Sequence, residues 1–396
     1  MRPFLDPRTW PVVGLLIGLV ALAPLSTDMY LASLADMVRV FGTDVATVQL
    51  TLSAFAVGMA LGMLVYGPLS DRFGRRPVLI VSLVFYSVAS VACVLAPDIG
   101  TLIGARFVQA LGACGGGVIG RAIVRDVWGR EGAARMLSHM ASAMALAPAL
   151  APIVGSYLHV SQGWQANFWV MAGAGAVLAL VSALMLRETN EHRSPSATDP
   201  LVLLANTRTL LGDRGFLAHA LVVAFAFAGL FSYLSGASFV MIDVLGVAPE
   251  NFGYTFLAVA LTYLVAAQAG ARLTHRLGTG RLIDIGLGLG VVSAGIGAAL
   301  AWAGISTLGS VLPVACGQFL ACALIMPNGQ AGALGPYPRI AGTASSLMGF
   351  LQMAVGASAG ALVGLLHDGT PRPLMSAFAV SALLGLVVWR SLRPRG

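Results

Sequence analysis

Apolar runs of about 20 residues, the length a helix needs to span a bilayer, recur along this chain between short polar breaks. They lie near 10–35, 48–69, 77–96, 99–121, 135–158 and 165–186. After a longer gap they resume near 215–241, 252–272, 282–302, 308–330, 342–366 and 373–391. The pattern predicts twelve transmembrane helices. One residue breaks it. In LVALAPLSTDMYLASLA (19–35), Asp28 is the only charge between Trp10 and Ala35. A carboxylate at membrane depth is costly and marks a functional site.

The longest polar break, 187–214, reads RETNEHRSPSATDPLVLLANTRTLLGDR. It divides the chain into an N-terminal six-helix bundle (1–186), a cytoplasmic linker (187–214) and a C-terminal six-helix bundle (215–396). Within the linker, 200–211 predicts a short amphipathic helix on the membrane surface. The halves are related. A shift of 204 residues lays VFGTDVATVQL (40–50) on VLGVAPENFGY (244–254), and DRFGRR (71–76) on HRLGTG (275–280). Gly42 meets Gly246, Arg72 meets Arg276 and Gly74 meets Gly278, which points to an internal duplication. The acid is not duplicated, since Asp28 falls near Ser232, Asp71 on His275 and Arg75 on Thr279.

Composition supports the membrane reading. The 396 residues are 58% hydrophobic and only 10% charged, with a mean hydropathy of +0.86, too few charges to cover a soluble surface. The 48 glycines suit close helix packing. The first apolar run is too long for a signal peptide, so no cleaved leader is expected. All 23 basic residues are Arg. With the N terminus inside, cytoplasmic segments hold twenty Arg against nine acids and outside loops two Arg against six acids. This is the positive-inside pattern, with both termini cytoplasmic. It accounts for the basic balance through lipid and excludes a need for nucleic acid. Asp28 and Arg106 remain within the spans. The four cysteines (Cys93, Cys114, Cys316, Cys322) sit in apolar runs without metal-ligand spacing.

Three stretches carry mechanism. GPLSDRFGRRPVLI (67–80) places Gly67, Asp71, Arg72, Gly74, Arg75 and Arg76 in the loop between helices 2 and 3. ALAPALAPIVGSYL (145–158) puts Pro148 and Pro152 in helix 5, each removing a backbone donor and bending the helix. ARFVQALGACGGGVIGRAIVRD (105–126) carries Gly112, Gly116 and Gly120 at four-residue spacing, a bare packing face in helix 4. Arg106 and Gln109, three apart, share one face of the same helix. From the residues alone, Arg106 either snorkels outward or faces the interior.

The first stretch resembles the signature loop of the major facilitator superfamily. APALAPIVGS resembles the helix 5 signature of its bicyclomycin/chloramphenicol-resistance drug:proton antiporters, through Pro148, Pro152 and Gly155, with Ser156 in place of a second Gly. RFVQ (106–109), TDMYLASL (27–34), MPNG (326–329) and AGTASSLMGFLQ (341–352) fit the same group, so the resemblance spans the chain. It implies the major facilitator fold: an all-α polytopic membrane protein with two pseudo-symmetric six-helix bundles. It also implies a conformational latch of Gly67, Asp71, Arg72, Gly74 and Arg75 with Asp126. In that latch Asp71 meets the free amides at the N-terminus of helix 11, near Gly342, where a carboxylate is favoured. Finally, it implies a cavity-facing Arg106 with Gln109.

Burial of a carboxylate favours its neutral form, and a neighbouring guanidinium its charged form. Asp28 is therefore expected to be the proton switch, stabilised when charged by Arg106 and Gln109. Tyr30, Tyr233, Asn328, Phe350 and Gln352 are candidate substrate contacts in a mostly apolar central cavity. No nucleophile–base set, phosphate loop or metal cluster stands out, and GLGLG (286–290) lies inside a span, so no enzyme is expected. The expected function is efflux of a small hydrophobic drug by proton antiport, without a cofactor. The expected species is a monomer in the bacterial inner membrane, with lipid and protons as its other partners. Export of an endogenous metabolite, such as an amino acid derivative or a siderophore, is the alternative. A non-transporting receptor or scaffold is the third reading.

Overall fold

The computed structural model describes residues 10–190 and 198–393. The described residues are helical almost throughout, with no strand among them. The N-terminal half comprises α1 (Trp10–Asp28), a 3-10 turn (Leu31–Ser33), α2 (Leu34–Val40), α3 (Val45–Phe73), α4 (Arg75–Val94), α5 (Ile99–Gln162) and α6 (Gln165–Met185). The linker holds α7 (Pro200–Gly212). The C-terminal half follows with α8 (Arg214–Ser238), a π-helical turn (Phe239–Val244), α9 (Pro249–Leu277) and α10 (Thr279–Trp302). Then come α11 (Leu308–Leu334), a 3-10 turn (Pro338–Ile340), α12 (Ala341–Leu365) and α13 (Arg372–Leu392).

Among the described residues, 11 helical stretches are long and apolar enough to cross a membrane. The remaining expected run, 135–158, is the second part of α5. Helical backbone continues through the whole of α5, where the polar break at 122–134 predicts an interruption. On a straight helix Arg106 and Gly155 would stand about 70 Å apart at the usual rise. Both nevertheless touch the end of α1, Arg106 at the Ser26 carbonyl and Gly155 at Met29. The chain therefore doubles back within α5, giving two limbs. Helix 1 departs from expectation in another way: the single run 10–35 is broken, with α1 ending at Asp28 itself.

The repeat is visible in the backbone. α3 and α9 are each 29 residues long and begin 204 positions apart. Gly42 and Gly246 both have positive φ, at 59° and 70°, as do Gly74 at 103° and Gly278 at 79°. Residues with a Cβ rarely adopt that region, so glycine recurs where each half turns. α1, α3, α4 and α6 surround α5, and α8 to α13 form the second bundle, with α3 lying along α12 and α5 along α9 across the interface. Valines such as Val81, Val88, Val177 and Val292 point outward, as a lipid-facing surface requires. Two of the acids on the Arg-poor side are N-caps: Asp44 accepts from the Thr47 amide at 2.7 Å, and Asp98 from the Thr101 amide at 2.8 Å. Those bonds hold both carboxyls below the usual carboxylate range.

Candidate functional site

The break in helix 1 is built locally. Pro24 brings no amide to α1. Ser26 Oγ donates to the Leu22 carbonyl at 2.6 Å, and Thr27 Oγ1 to the Pro24 carbonyl at 2.9 Å, both alternatives to regular helix. Asp28 follows, 2% exposed, its carboxylate 2.9 Å from Thr27 Oγ1 and sharing that hydroxyl's single proton with the Pro24 carbonyl. A carboxylate at the C-terminal end of a helix opposes the macrodipole, and no cation lies within ion-pairing distance of it among the described residues. The expected pairing of Asp28 with Arg106 is therefore not made.

Arg106 does not snorkel. It is fully buried, with Nη1 donating to the Ser26 carbonyl at 3.0 Å and to Gln109 Oε1 at 2.5 Å. Gln109 Nε2 continues to Ser90 Oγ at 2.7 Å. The guanidinium lies 4.4 Å from the Phe55 ring centroid, 4.7 Å from Tyr30 and 5.6 Å from Phe168. Three rings thus supply the counter-field that a carboxylate would otherwise give. Nε and Nη2 are buried without a hydrogen-bond partner. Arg106 and Gln109 come together as their spacing predicts, but they hold the backbone beside Asp28 and not its carboxylate.

The second limb of α5 meets the same place. Gly155 packs on the Met29 carbonyl, leaving no room for a Cβ. Ser156 Oγ returns to the Pro152 carbonyl at 2.7 Å, and Asn167 of α6 bridges Ser33 Oγ (3.3 Å) and the Gly155 carbonyl (3.4 Å). The side chain of Pro148 lies outside the described residues.

A second centre lies on the Arg-rich side. Arg75 joins Asp71 through Nη1 at 2.5 Å and Asp126 through Nε at 3.0 Å, the three residues the loop motif implies. Ser70 Oγ accepts a further bond from Arg75 at 2.7 Å. Gly74 turns the chain between α3 and α4, and Arg72 reaches Thr198 of the linker at 2.7 Å. Glu188, which no motif flagged, accepts from the amides of Arg75 (2.8 Å) and Arg76 (3.2 Å), an acid at a helix N-terminus. Asn190 Nδ2 donates to the Asp71 carbonyl at 3.0 Å. The expected bond from Asp71 to the start of α12 is not found among the described residues: α12 has no side-chain N-cap, and an added Cβ at Gly342 would meet open space. Asp71 turns to Arg75 instead, while Gly67 faces Ser346 of α12 at van der Waals range.

The five candidate substrate contacts do not converge. The Tyr30 hydroxyl bonds to Thr51 inside the N-terminal bundle. Tyr233 is buried between Phe256 and Phe319, its hydroxyl unpaired. Asn328 is held by the Leu324 carbonyl (2.8 Å) and Thr274 (3.2 Å) inside the C-terminal bundle. These three serve packing. Phe350 and Gln352 of α12 are half-buried and open to a ligand. An apolar groove of about 710 Å³, lined by Thr262, Leu312, Pro313, Cys316 and Leu320, touches none of these centres.

The halves meet on the Arg-poor side. There α2 lies on the π-helical turn, Gly253 of α9 on Ile153, and the hydroxyls of Tyr157 and Tyr254 are 3.5 Å apart.

The family model of the Major Facilitator Superfamily matches residues 16–361. A bicyclomycin resistance protein homolog of Haemophilus influenzae is 29% identical over 393 residues, covering 96% of this chain and 97% of its own. An uncharacterized MFS-type transporter of Bacillus subtilis is 32% identical over 388 residues, covering 96% and 95%. Multidrug resistance protein D of Escherichia coli is 26% identical over 382 residues, covering 96% and 95%. Among solved structures, a D-xylose-proton symporter superposes with a TM-score of 0.71 at 13% identity, over 97% of this chain and 98% of that one. The likeness is one of fold.

Proposed function

The chain belongs to the major facilitator superfamily, a family of transporters and not of enzymes, and from that membership we propose that it exports small hydrophobic drugs by proton antiport. Full-length relatives named for bicyclomycin and multidrug resistance support drug efflux. One observation supports proton coupling above the others: the proline-containing limb of α5 presses Gly155 onto the carbonyl of Met29, next to the buried and unpaired Asp28.

On this reading, rocking of one bundle against the other changes the water that reaches Asp28, beside the contact of α5 with the break in α1. The carboxylate takes a proton when open to the periplasm, as drug leaves, and releases it when open to the cytoplasm. Arg106 and Gln109 hold the break in register through the Ser26 carbonyl. With the basic loops on the cytoplasmic face of the bacterial inner membrane, the unlatched Asp71 belongs to one of the two alternating states. Closing the cytoplasmic side would bring Asp71 to the free amides of α12. The latch then biases two states by differential contact, as any conformational switch must.

The test uses everted membrane vesicles with an imposed pH gradient. Adding ethidium or tetraphenylphosphonium should release protons from wild-type vesicles, and Asp28→Asn should abolish that release while the protein still inserts. Undiminished exchange by Asp28→Asn would refute the assigned switch.

A further inference from the structure

Helix 4 was expected to end at 121, which counted Arg121 among the cytoplasmic charges. The helix in fact runs on unbroken through this position, α5 extending from Ile99 to Gln162. Arg121 therefore lies within a helix, five residues or about 7.5 Å before Asp126, whose bond to Arg75 marks the Arg-rich end, and is half-buried. Its guanidinium rests over Gly117, with Nη2 3.9 Å from where a Cβ would stand. Cys114, two turns away on the same face, turns toward the Met59 carbonyl of α3, while Gly116 and Gly120 turn toward Leu19 of α1. α1 and α3 each pack along α5 but hardly on each other. Arg121 thus sits in the opening between them.

No carboxylate compensates it. The groups acting on Arg121 are the Cys114 thiol and a second cation, Arg125. Arg125 is one turn further on, where like charges repel. The nearest acid along the helix, Asp126, is committed to Arg75 at 3.0 Å. No ion pair or hydrogen bond of Arg121 is found among the described residues. Arg106 is sealed among its rings and cannot serve a ligand. An ionised side chain at this depth calls for a partner. The fork of a guanidinium matches the two oxygens of a carboxylate, or those of a sulfonate or phosphate.

Building on the export reading, we propose that Arg121 binds the acidic group of the transported molecule, so that the preferred substrates are amphipathic anions or zwitterions. Arg125 raises the local positive potential and favours entry of such molecules from the basic side.

Fluorescence titration of the full-length protein in nanodiscs tests this with dansyl-phenylalanine and its methyl ester, which differ in one charge. Wild type should bind the acid about tenfold or more tighter than the ester, the worth of a hydrogen bond to a charged group. Arg121→Gln should bring the two to parity without weakening the ester, and Arg121→Lys should keep part of the preference. Equal binding of both probes by wild type, no binding of the acid, or a preference that survives Arg121→Gln overturns the proposal. Proton release driven by ethidium separates the two readings. If it occurs without acid preference, this inference fails and export stands. If an Arg121-dependent acid preference appears without proton release for any probe, the site stands and antiport fails.

Discussion

Gly155→Ala probes the contact on which the coupling reading rests. The added Cβ would stand 2.6 Å from the Met29 carbonyl carbon and 2.8 Å from its Cα, with the carbonyl oxygen closer still. Ordinary van der Waals contact begins near 3.4 Å, so the carbonyl carbon alone requires α5 and the break in α1 to separate by about 0.8 Å, and the oxygen requires more. The obstacle is backbone, which no rotamer change relieves. Overpacking of this kind costs about 1–3 kcal/mol. If the contact forms in only one of the two alternating states, the cost shifts their equilibrium by about 5–150-fold. The assay is drug-driven proton release from vesicles, with single-cysteine accessibility on each side of the membrane to read the state. Transport should fall by about fivefold or more, with lower protection on the acidic side. Gly104→Ala is the control, since nothing lies within 4 Å of the Cβ it would add. Wild-type transport and unchanged accessibility in Gly155→Ala would refute the reasoning.

Two further outcomes follow from the geometry. Arg75 is 11% exposed against 23% for Asp126 and 47% for Asp71; Arg75→Gln should therefore cost about 1–2 kcal/mol, less than the loss of a fully buried pair. Arg75→Gln and Asp126→Asn share one bond, so a double-mutant cycle on transport should show strong non-additivity, and additive effects would refute the relay. On the linker, the Tyr337 hydroxyl and the Phe216 amide donate to Asp213 and hold its carboxyl below the usual range, while burial and Asp213 push Tyr337 up to about 12. A lowered folded-state carboxyl adds stability above its unfolded value near 4 and loses it as pH falls through the folded value. Tyr337→Phe should thus lower thermal stability at neutral pH, with the deficit shrinking in acid; a deficit that grows in acid counts against the pair.

Much of the fold was legible because the bilayer imposes one rule on every segment: about 20 apolar residues with internally bonded backbone. The repeat was legible for a similar reason, since Gly42, Gly74, Gly246 and Gly278 occupy backbone positions that a Cβ would strain. The relay of Asp71, Arg75 and Asp126 was legible only through the likeness of residues 67–80 to the superfamily's signature loop. Glu188 was not, since it reaches Arg75 from 113 residues away and short polar linkers look alike.

Composition, periodicity and motif thus determined the spans, the duplication, the family and the residues with chemistry to offer. The tertiary structure alone decided how those residues pair. Asp28 and Arg106 are both buried charges and read as partners, but the guanidinium takes three aromatic rings and the Ser26 carbonyl while the carboxylate takes only Thr27. Hydropathy counts Arg121 among the cytoplasmic charges, and the unbroken helix sets it inward of Asp126 with no acid paired to it among the described residues. The reason is physical. Hydropathy sums over a segment and is written in its residues, whereas an ion pair depends on the rotation and depth of two helices that only packing sets.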